Sequence, residues 1–257
     1  MNFAMKMIPD FIMKEIEPLI STKKSTMGRP LSSAVKALNG VAYVLMEGCR
    51  WKSLPREFGA PSTVHGRFLG WVRSGIFDQI KKKAAELYMN SVAEPITWYA
   101  IDTSSCKAPL LKKGGRNPTD RGKRGVKKST IVDQKGAPLG LCVGPANRHD
   151  SKFLTKTLDD LPISHPNITK IMAADSAYDG SEARATCRQR NFVLLAATNV
   201  RRNKNKMCYK PSLRWVVERT FGWFAWYRGL KTCWAKNIEN FEAFLKLAAS
   251  IQLFKMC

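Results

Sequence analysis

The sequence predicts an α/β fold: a mixed five-stranded sheet with flanking helices, preceded by a small all-helical region. Three observations predict it. Up to about residue 93 the apolar residues recur at helical spacing, from residue 96 short apolar runs replace them, and the last of these runs alternate with helical segments. The expected division is a helical region over residues 1–93 and a second domain over residues 94–257. A chain of 257 residues can bury one large core or two smaller ones.

In the helical region, Leu38, Val41, Val44 and Leu45 share a helix face before Gly48 interrupts it. Trp51 to Phe58 reads as a short second helix, broken by Gly59-Ala60-Pro61. Ser62 is the expected N-cap of a third helix. Its stripe Val64, Phe68, Trp71 and Val72 leaves His65, Arg67 and Arg73 outward until Gly75 ends it. Short helix, tight turn and capped helix resemble a helix-turn-helix, whose second helix enters the major groove. A plain three-helix packing unit reads almost equally well, and the basic balance of the chain tips the choice toward DNA.

Ile96 to Asp102 reads as a buried strand with an acid at its tip. Lys128 to Val132 and Pro138 to Val143 flank Asp133-Gln134-Lys135-Gly136, a hairpin turn, and complete a three-stranded antiparallel meander. Residues 151–160 form the next helix, opened by Asp150 or Ser151. The run Ile171 to Asp175, a helix from Gly180 to Arg190 and the strand Phe192 to Ala197 follow. Strands that alternate with helices are parallel additions to a meander, which gives a ribonuclease-H-like plan.

Lys and Arg total 43 against 20 Asp and Glu, a formal charge of +23 and a pI near 10.0, which favours polyanionic partners. No run approaches the roughly 20 apolar residues of a membrane span, and the N-terminus lacks signal-peptide character. Seven cysteines form no CxxC pair and the three histidines no metal-ligand spacing. Reduced, buried thiols and no structural zinc are therefore expected, in a cytoplasmic, nucleoid-associated protein.

Asp102, Asp175 and Glu218 are the candidate metal ligands. The two aspartates end apolar strand runs, and Glu218 lies in Arg214 to Phe221, a helix so apolar that it must pack on the core. Hard cations such as Mg²⁺ take carboxylate oxygens and fill their shell with water and substrate phosphate. Among other acids, Asp150 reads as a helix cap, Asp179 as a turn residue, and Asp120 as part of a loop without scaffold. Lys112 to Lys128 holds eight Lys or Arg in 17 residues and, rich in glycine, reads as a mobile loop. With Arg201, Arg202, Lys204 and Lys206 it is expected to track phosphates, chiefly through Lys123, Arg124, Lys127 and Lys128. The aromatics from Trp215 to Tyr227 are mostly core, with one or two exposed near DNA.

The ordered set of motifs resembles the DDE transposases of bacterial insertion sequences, in insertion-sequence family five, related to the eukaryotic Harbinger transposases. It comprises Gly28-Arg29-Pro30, Gly48-Cys49-Arg50-Trp51, Ser62-Thr63-Val64, Asp102, Arg148-His149-Asp150, Ala174-Asp175 with Tyr178-Asp179, and Trp215 to Phe221. The resemblance implies Asp102, Asp175 and Glu218 as catalytic metal ligands for two Mg²⁺ ions, with Mn²⁺ able to substitute. It also implies binding of terminal inverted repeats, DNA strand cleavage and transfer into target DNA, and a homodimer on paired ends. In the family's signature around the glutamate, Arg214 and Glu218 fit, while Pro211 and Ala225 stand where a tyrosine and a lysine belong. Arg214 either holds the carboxylate or binds the scissile strand. A DNA-binding protein without catalysis, or a ribonuclease-H-like nuclease without transposition, are the alternatives.

Overall fold

A computed structural model describes residues 7–21, 33–162, 168–197 and 212–257. The helical region holds α1 (Asp10–Ile20), α2 (Ala34–Glu47), α3 (Pro61–Arg73) and α4 (Ile76–Ser91). Ser33 caps α2 by accepting the Lys36 amide at 3.3 Å. Gly48, at φ +64°, closes α2 in the left-handed conformation that glycine adopts without strain.

Trp51 to Phe58 departs from the expected helix. It is two 3-10 turns, Trp51–Ser53 and Arg56–Phe58. Pro55 crowds the helical conformation of the residue before it, and Leu54 is accordingly extended, with ψ 128°. The helix α3 starts at Pro61 after Ala60, so Ser62 is not its cap; proline's fixed φ suits a first helical position. Val64, Phe68 and Trp71 are buried as the stripe requires. The element that precedes α3 is therefore not the α-helix of a helix-turn-helix, and α3 packs on α2 instead.

The sheet comprises β1 (Trp98–Lys107), β2 (Gly115–Arg116), β3 (Arg124–Asp133), β4 (Pro138–Pro145), β5 (Lys170–Ala174) and β6 (Phe192–Ala196). Antiparallel β1, β3 and β4 form the expected meander, and β5 and β6 add in parallel beside β1. This is the ribonuclease-H-like order with one addition, the two-residue β2, which pairs with the start of β3 through Gly115↔Gly125 and Arg116↔Arg124. The basic segment is thus partly sheet rather than a loop. Strand β1 also runs five residues past Asp102, because β3 keeps pairing with it as far as Lys107↔Gly125.

Five more helices are described: α5 (Leu154–Asp159), α6 (Ser181–Arg188), α7 (Trp215–Trp226), α8 (Arg228–Lys231) and α9 (Ile238–Met256). Val216 and Val217 of α7 pack on Ala100, Val132 and Ala173, one face of the central strands. The last helix is apolar nearly all round, as a helix enclosed by protein must be. It packs between α4 and β4. Phe244 stacks on Phe68 of α3 at 4.9 Å and on Trp51 at 6.1 Å. Beside them Lys246 pairs with Asp78 of α4, and buried Lys81 reaches Asp160 at 2.6 Å, whose carboxylate also accepts the Leu141 amide of β4. One apolar core consequently extends from Ile8 to Phe254. Among the described residues no helix is long and apolar enough to cross a membrane.

Because the helical region is completed by α9, Phe244→Ala should destabilise both halves together, by about 3–5 kcal/mol. A single denaturant transition shifted to lower concentration checks this. Two separate transitions, only one of them shifted, would contradict it.

Candidate metal centre and nucleic-acid interface

The candidate site lies where β5 ends. Ala100 of β1 pairs with Ala173 of β5, so two residues further along each strand Asp102 and Asp175 fall abreast. Here β5 leaves the sheet, because Asp175 caps the 3-10 turn Ser176–Tyr178, its Oδ1 accepting the Ala177 amide at 2.9 Å. Burial raises the Asp175 pKa; the Ala177 hydrogen bond opposes this and the Asp102 charge reinforces it.

Asp102 is only 15% exposed, and donors meet both of its oxygens. The Thr103 amide donates to Oδ1 at 2.7 Å and Arg214 Nη2 to Oδ2 at 2.8 Å. Glu218 stands in the first turn of α7, 61% exposed, its Oε1 3.6 Å from the same Arg214 nitrogen four residues back. The valines 216 and 217 seat this turn on the sheet and leave Glu218 at the open side. Burial alone would lower the Arg214 pKa, but hydrogen bonding to Asp102 and the charges of Asp102, Asp175 and Glu218 raise it. One guanidinium therefore feels all three predicted ligands. Among the described residues no three acidic, histidine or cysteine side chains stand close enough to form a ready-made metal cage. The donor set is nonetheless all carboxylate oxygen, which suits a hard divalent ion, and it has drawn in the Arg214 guanidinium.

Asp150 is the residue that sequence reasoning missed. The cap of the 3-10 turn Asp150–Phe153 is His149, whose Nδ1 accepts the Ser151 amide at 3.4 Å. Asp150 instead accepts Thr103 Oγ1 and Lys127 Nζ, both at 2.7 Å. Successive strand residues face opposite ways, so Asp150 braces β1 from the far face, one residue from Asp102. The only signal in the sequence is an acid directly after His149, which a cap explains equally well. Asp179 is held by Arg184 at 2.6 Å, a local turn contact. Asp120 lies in the turn between β2 and β3, where its amide bonds Asn117.

The basic residues separate by strand position. Lys128 is buried on β3, donating to the Leu230 carbonyl at 3.2 Å, and so cannot reach a phosphate as expected. Lys127, 14% exposed, is committed to Asp150 and to the Arg148 carbonyl at 2.9 Å, which likewise removes it from the expected surface track. Lys123 and Arg124 are exposed, Arg124 anchored through the Leu111 carbonyl at 3.2 Å. On α3, Arg73 is exposed and Arg67 half-buried, while His65 turns inward to stack on Trp51 at 4.7 Å. Arg201, Arg202, Lys204 and Lys206 lie outside the described residues, as do Gly28-Arg29-Pro30 and the side chain of Pro211. Two aromatics near the site are exposed, Trp215 at 55% and Trp226 at 83%. Arg219 lies between the rings of Trp215 and Trp223, at 4.7 and 5.1 Å.

Acids set abreast where a strand of this sheet ends, in a chain of formal charge +23, suit phosphoryl transfer on nucleic acid. Residues 95–253 match the family described as the transposase DDE domain, and residues 8–81 match a family described as "Putative transposase of IS4/5 family". The chain belongs to the DDE transposase family. It is an insertion-sequence transposase, a divalent-metal-dependent enzyme of DNA strand cleavage and transfer. A Burkholderia cepacia protein described as "Putative transposase for insertion sequence element IS402" is 31% identical over 145 residues, 54% of this chain and 67% of that protein. A second from the same organism, described as an uncharacterized 16.2 kDa protein of the element, is 31% identical over 111 residues, 41% of this chain and 76% of its own. Among solved structures, the pre-cleavage Mos1 transpososome is 11% identical with a TM-score of 0.28, over 91% of this chain and 81% of that one. The Mos1 strand transfer complex is 10% identical with a TM-score of 0.30, over the same shares of the chains. Overlays this loose decide nothing, and the fold rests on the sheet order above.

Replacing Lys123 and Arg124 together by alanine should flatten the slope of log DNA affinity against log salt by about two units, near 0.9 for each phosphate contact. Lys128→Met should leave that slope unchanged. The reverse pattern would put Lys128 on the DNA and Lys123 and Arg124 off it.

Proposed function

We propose that Asp102, Asp175 and Glu218 hold two Mg²⁺ ions, replaceable by Mn²⁺, and that the chain uses them at the terminal inverted repeats of its insertion sequence. The observation that carries this reading is the side-by-side placement of Asp102 and Asp175 where β5 ends, with Glu218 tied to Asp102 through Arg214. When bound, the ions supply the Lewis acidity for in-line displacement at phosphorus. The protein's own task is then positional. Asp102 is held by the Thr103 amide inside a strand and Asp175 by the Ala177 amide in a tight turn, so neither carboxylate depends on a loose loop for its orientation. Glu218 is the exposed member and completes the set from the helix side. Among the described residues no histidine stands with these acids, and the two-metal reading needs no protein base.

The helical region up to residue 93 is the proposed reader of the repeat, with Arg67 and Arg73 on α3 as the side chains able to reach a groove. Lys123 and Arg124 would hold phosphates near the β2–β3 turn, and Arg201, Arg202, Lys204 and Lys206 would extend the cationic track. Each chain carries one triad, whereas an element has two ends; a homodimer on paired ends matches active sites to ends.

Full-length protein should cut a duplex bearing the element's end with Mg²⁺ or Mn²⁺ and only bind it with Ca²⁺. Asp102→Asn, Asp175→Asn and Glu218→Gln should each lower the cutting rate by more than about 100-fold, since even the outer partners of metal ligands cost 10–100-fold. DNA affinity should fall far less. If Asp102→Asn cuts normally while Asp150→Asn does not, the ligands are misassigned.

A further inference from the structure

Asp102 has no oxygen without a donor. Its Oδ1 takes the Thr103 amide and its Oδ2 takes Arg214 Nη2. The amide is fixed by the strand backbone, whereas the guanidinium sits at the end of a long side chain that can swing. A cation arriving at Asp102 therefore has to replace Arg214. The same guanidinium lies 3.6 Å from Glu218 and is attracted by Asp175, so its single charge is shared among all three acids. Its hold is incomplete: Arg214 Nε is buried and finds no hydrogen-bond partner among the described residues.

The anchoring of Arg214 suits exchange. It ends the 3-10 turn Ser212–Arg214, and directly after it Val216 and Val217 fix α7 on the sheet. The backbone can stay in place while the side chain changes partner. A guanidinium binds a phosphate with the same two-pronged geometry as a carboxylate. A DNA strand delivered to these acids brings phosphate oxygens to this spot, together with the negative charge the guanidinium would otherwise draw from the acids.

We propose that Arg214 is a substrate-released counter-ion: it occupies the metal centre in the free protein, keeps divalent ions off Asp102, and yields when a DNA phosphate takes it over. The inference rests on Asp102 being a metal ligand. Metal loading and DNA binding are then coupled, and each strengthens the other by the same factor. The free protein stays unloaded, which restricts cutting to the assembled complex.

The test reads metal binding rather than activity. Mn²⁺ affinity of full-length protein is measured by the loss of the free-ion EPR signal, with and without a pre-cleaved duplex of the element's end. The wild type should bind Mn²⁺ at least tenfold more tightly with DNA. Phosphates could also ligate the metal directly, so the deciding arm is Arg214→Gln without DNA. There Mn²⁺ should bind at least tenfold more tightly than in the DNA-free wild type, and Arg214→Lys, which keeps the charge, should restore weak binding. Equal or weaker binding by Arg214→Gln would overturn the proposal and make Arg214 a brace for the carboxylates. A wild type whose Mn²⁺ affinity ignores DNA would overturn it as well, even if the variant failed to fold. Asp102→Asn should bind Mn²⁺ weakly in every arm; if it binds like the wild type, the ligand assignment itself fails.

Discussion

At Ala174 the backbone of β5 leaves the sheet, while β1 runs on to Lys107 with β3 as its neighbour. Everything at the site depends on that mismatch in length. It puts Asp175 in the turn where β5 stops and Asp102 in the middle of a strand at the same level. It opens the edge of β1 next to them. It also leaves the apolar patch of Ala100, Val132 and Ala173 as a seat for α7, which brings Glu218 and Arg214 in from one side. A longer β5 would cover Asp102, and a shorter one would separate the two aspartates.

Gathering acids costs free energy unless something offsets their repulsion. Two devices do so here: backbone amides on Asp102 and Asp175, and the Arg214 guanidinium. Only Arg214 is both charged enough and mobile enough to give way to a stronger cation. The same economy appears between the helical region and the sheet, where Lys81 pairs with Asp160 and Lys246 with Asp78. The region that carries Arg67 and Arg73 is therefore packed through α9 onto β4, and so onto the sheet that holds the acids.

Much of this was legible in the sequence because it is local. The stripe of α3, the turn after Asp133 and the alternation of β5, α6 and β6 are written in residues a few positions apart. The candidate acids could be named for the same reason, since each borders an apolar run. What the sequence hid depends on distant partners. Thr103 to Lys107 lacks an apolar pattern and is strand only because β3 pairs with it. The two residues of β2 are too short to show a period. Counting charges placed Lys127 and Lys128 on DNA, but β3 runs through the middle of the sheet, buries Lys128 and leaves Lys127 largely covered and paired with Asp150. Asp150 looked like a cap because its bonds to Thr103 and Lys127 span 47 and 23 residues.

The central claim is that one metal centre is built from Asp102, Asp175 and Glu218. Fe²⁺ substituted for Mg²⁺, with hydrogen peroxide as oxidant and ascorbate to return Fe³⁺ to Fe²⁺, generates hydroxyl radicals that cut the polypeptide near the ion, and the cut positions can be read by mass spectrometry. With end DNA present, the account predicts cuts close to residues 102, 175 and 218, all suppressed by excess Mg²⁺. Cuts confined to the surroundings of Asp160 and Asp78, or to the turn around Asp120, would contradict it.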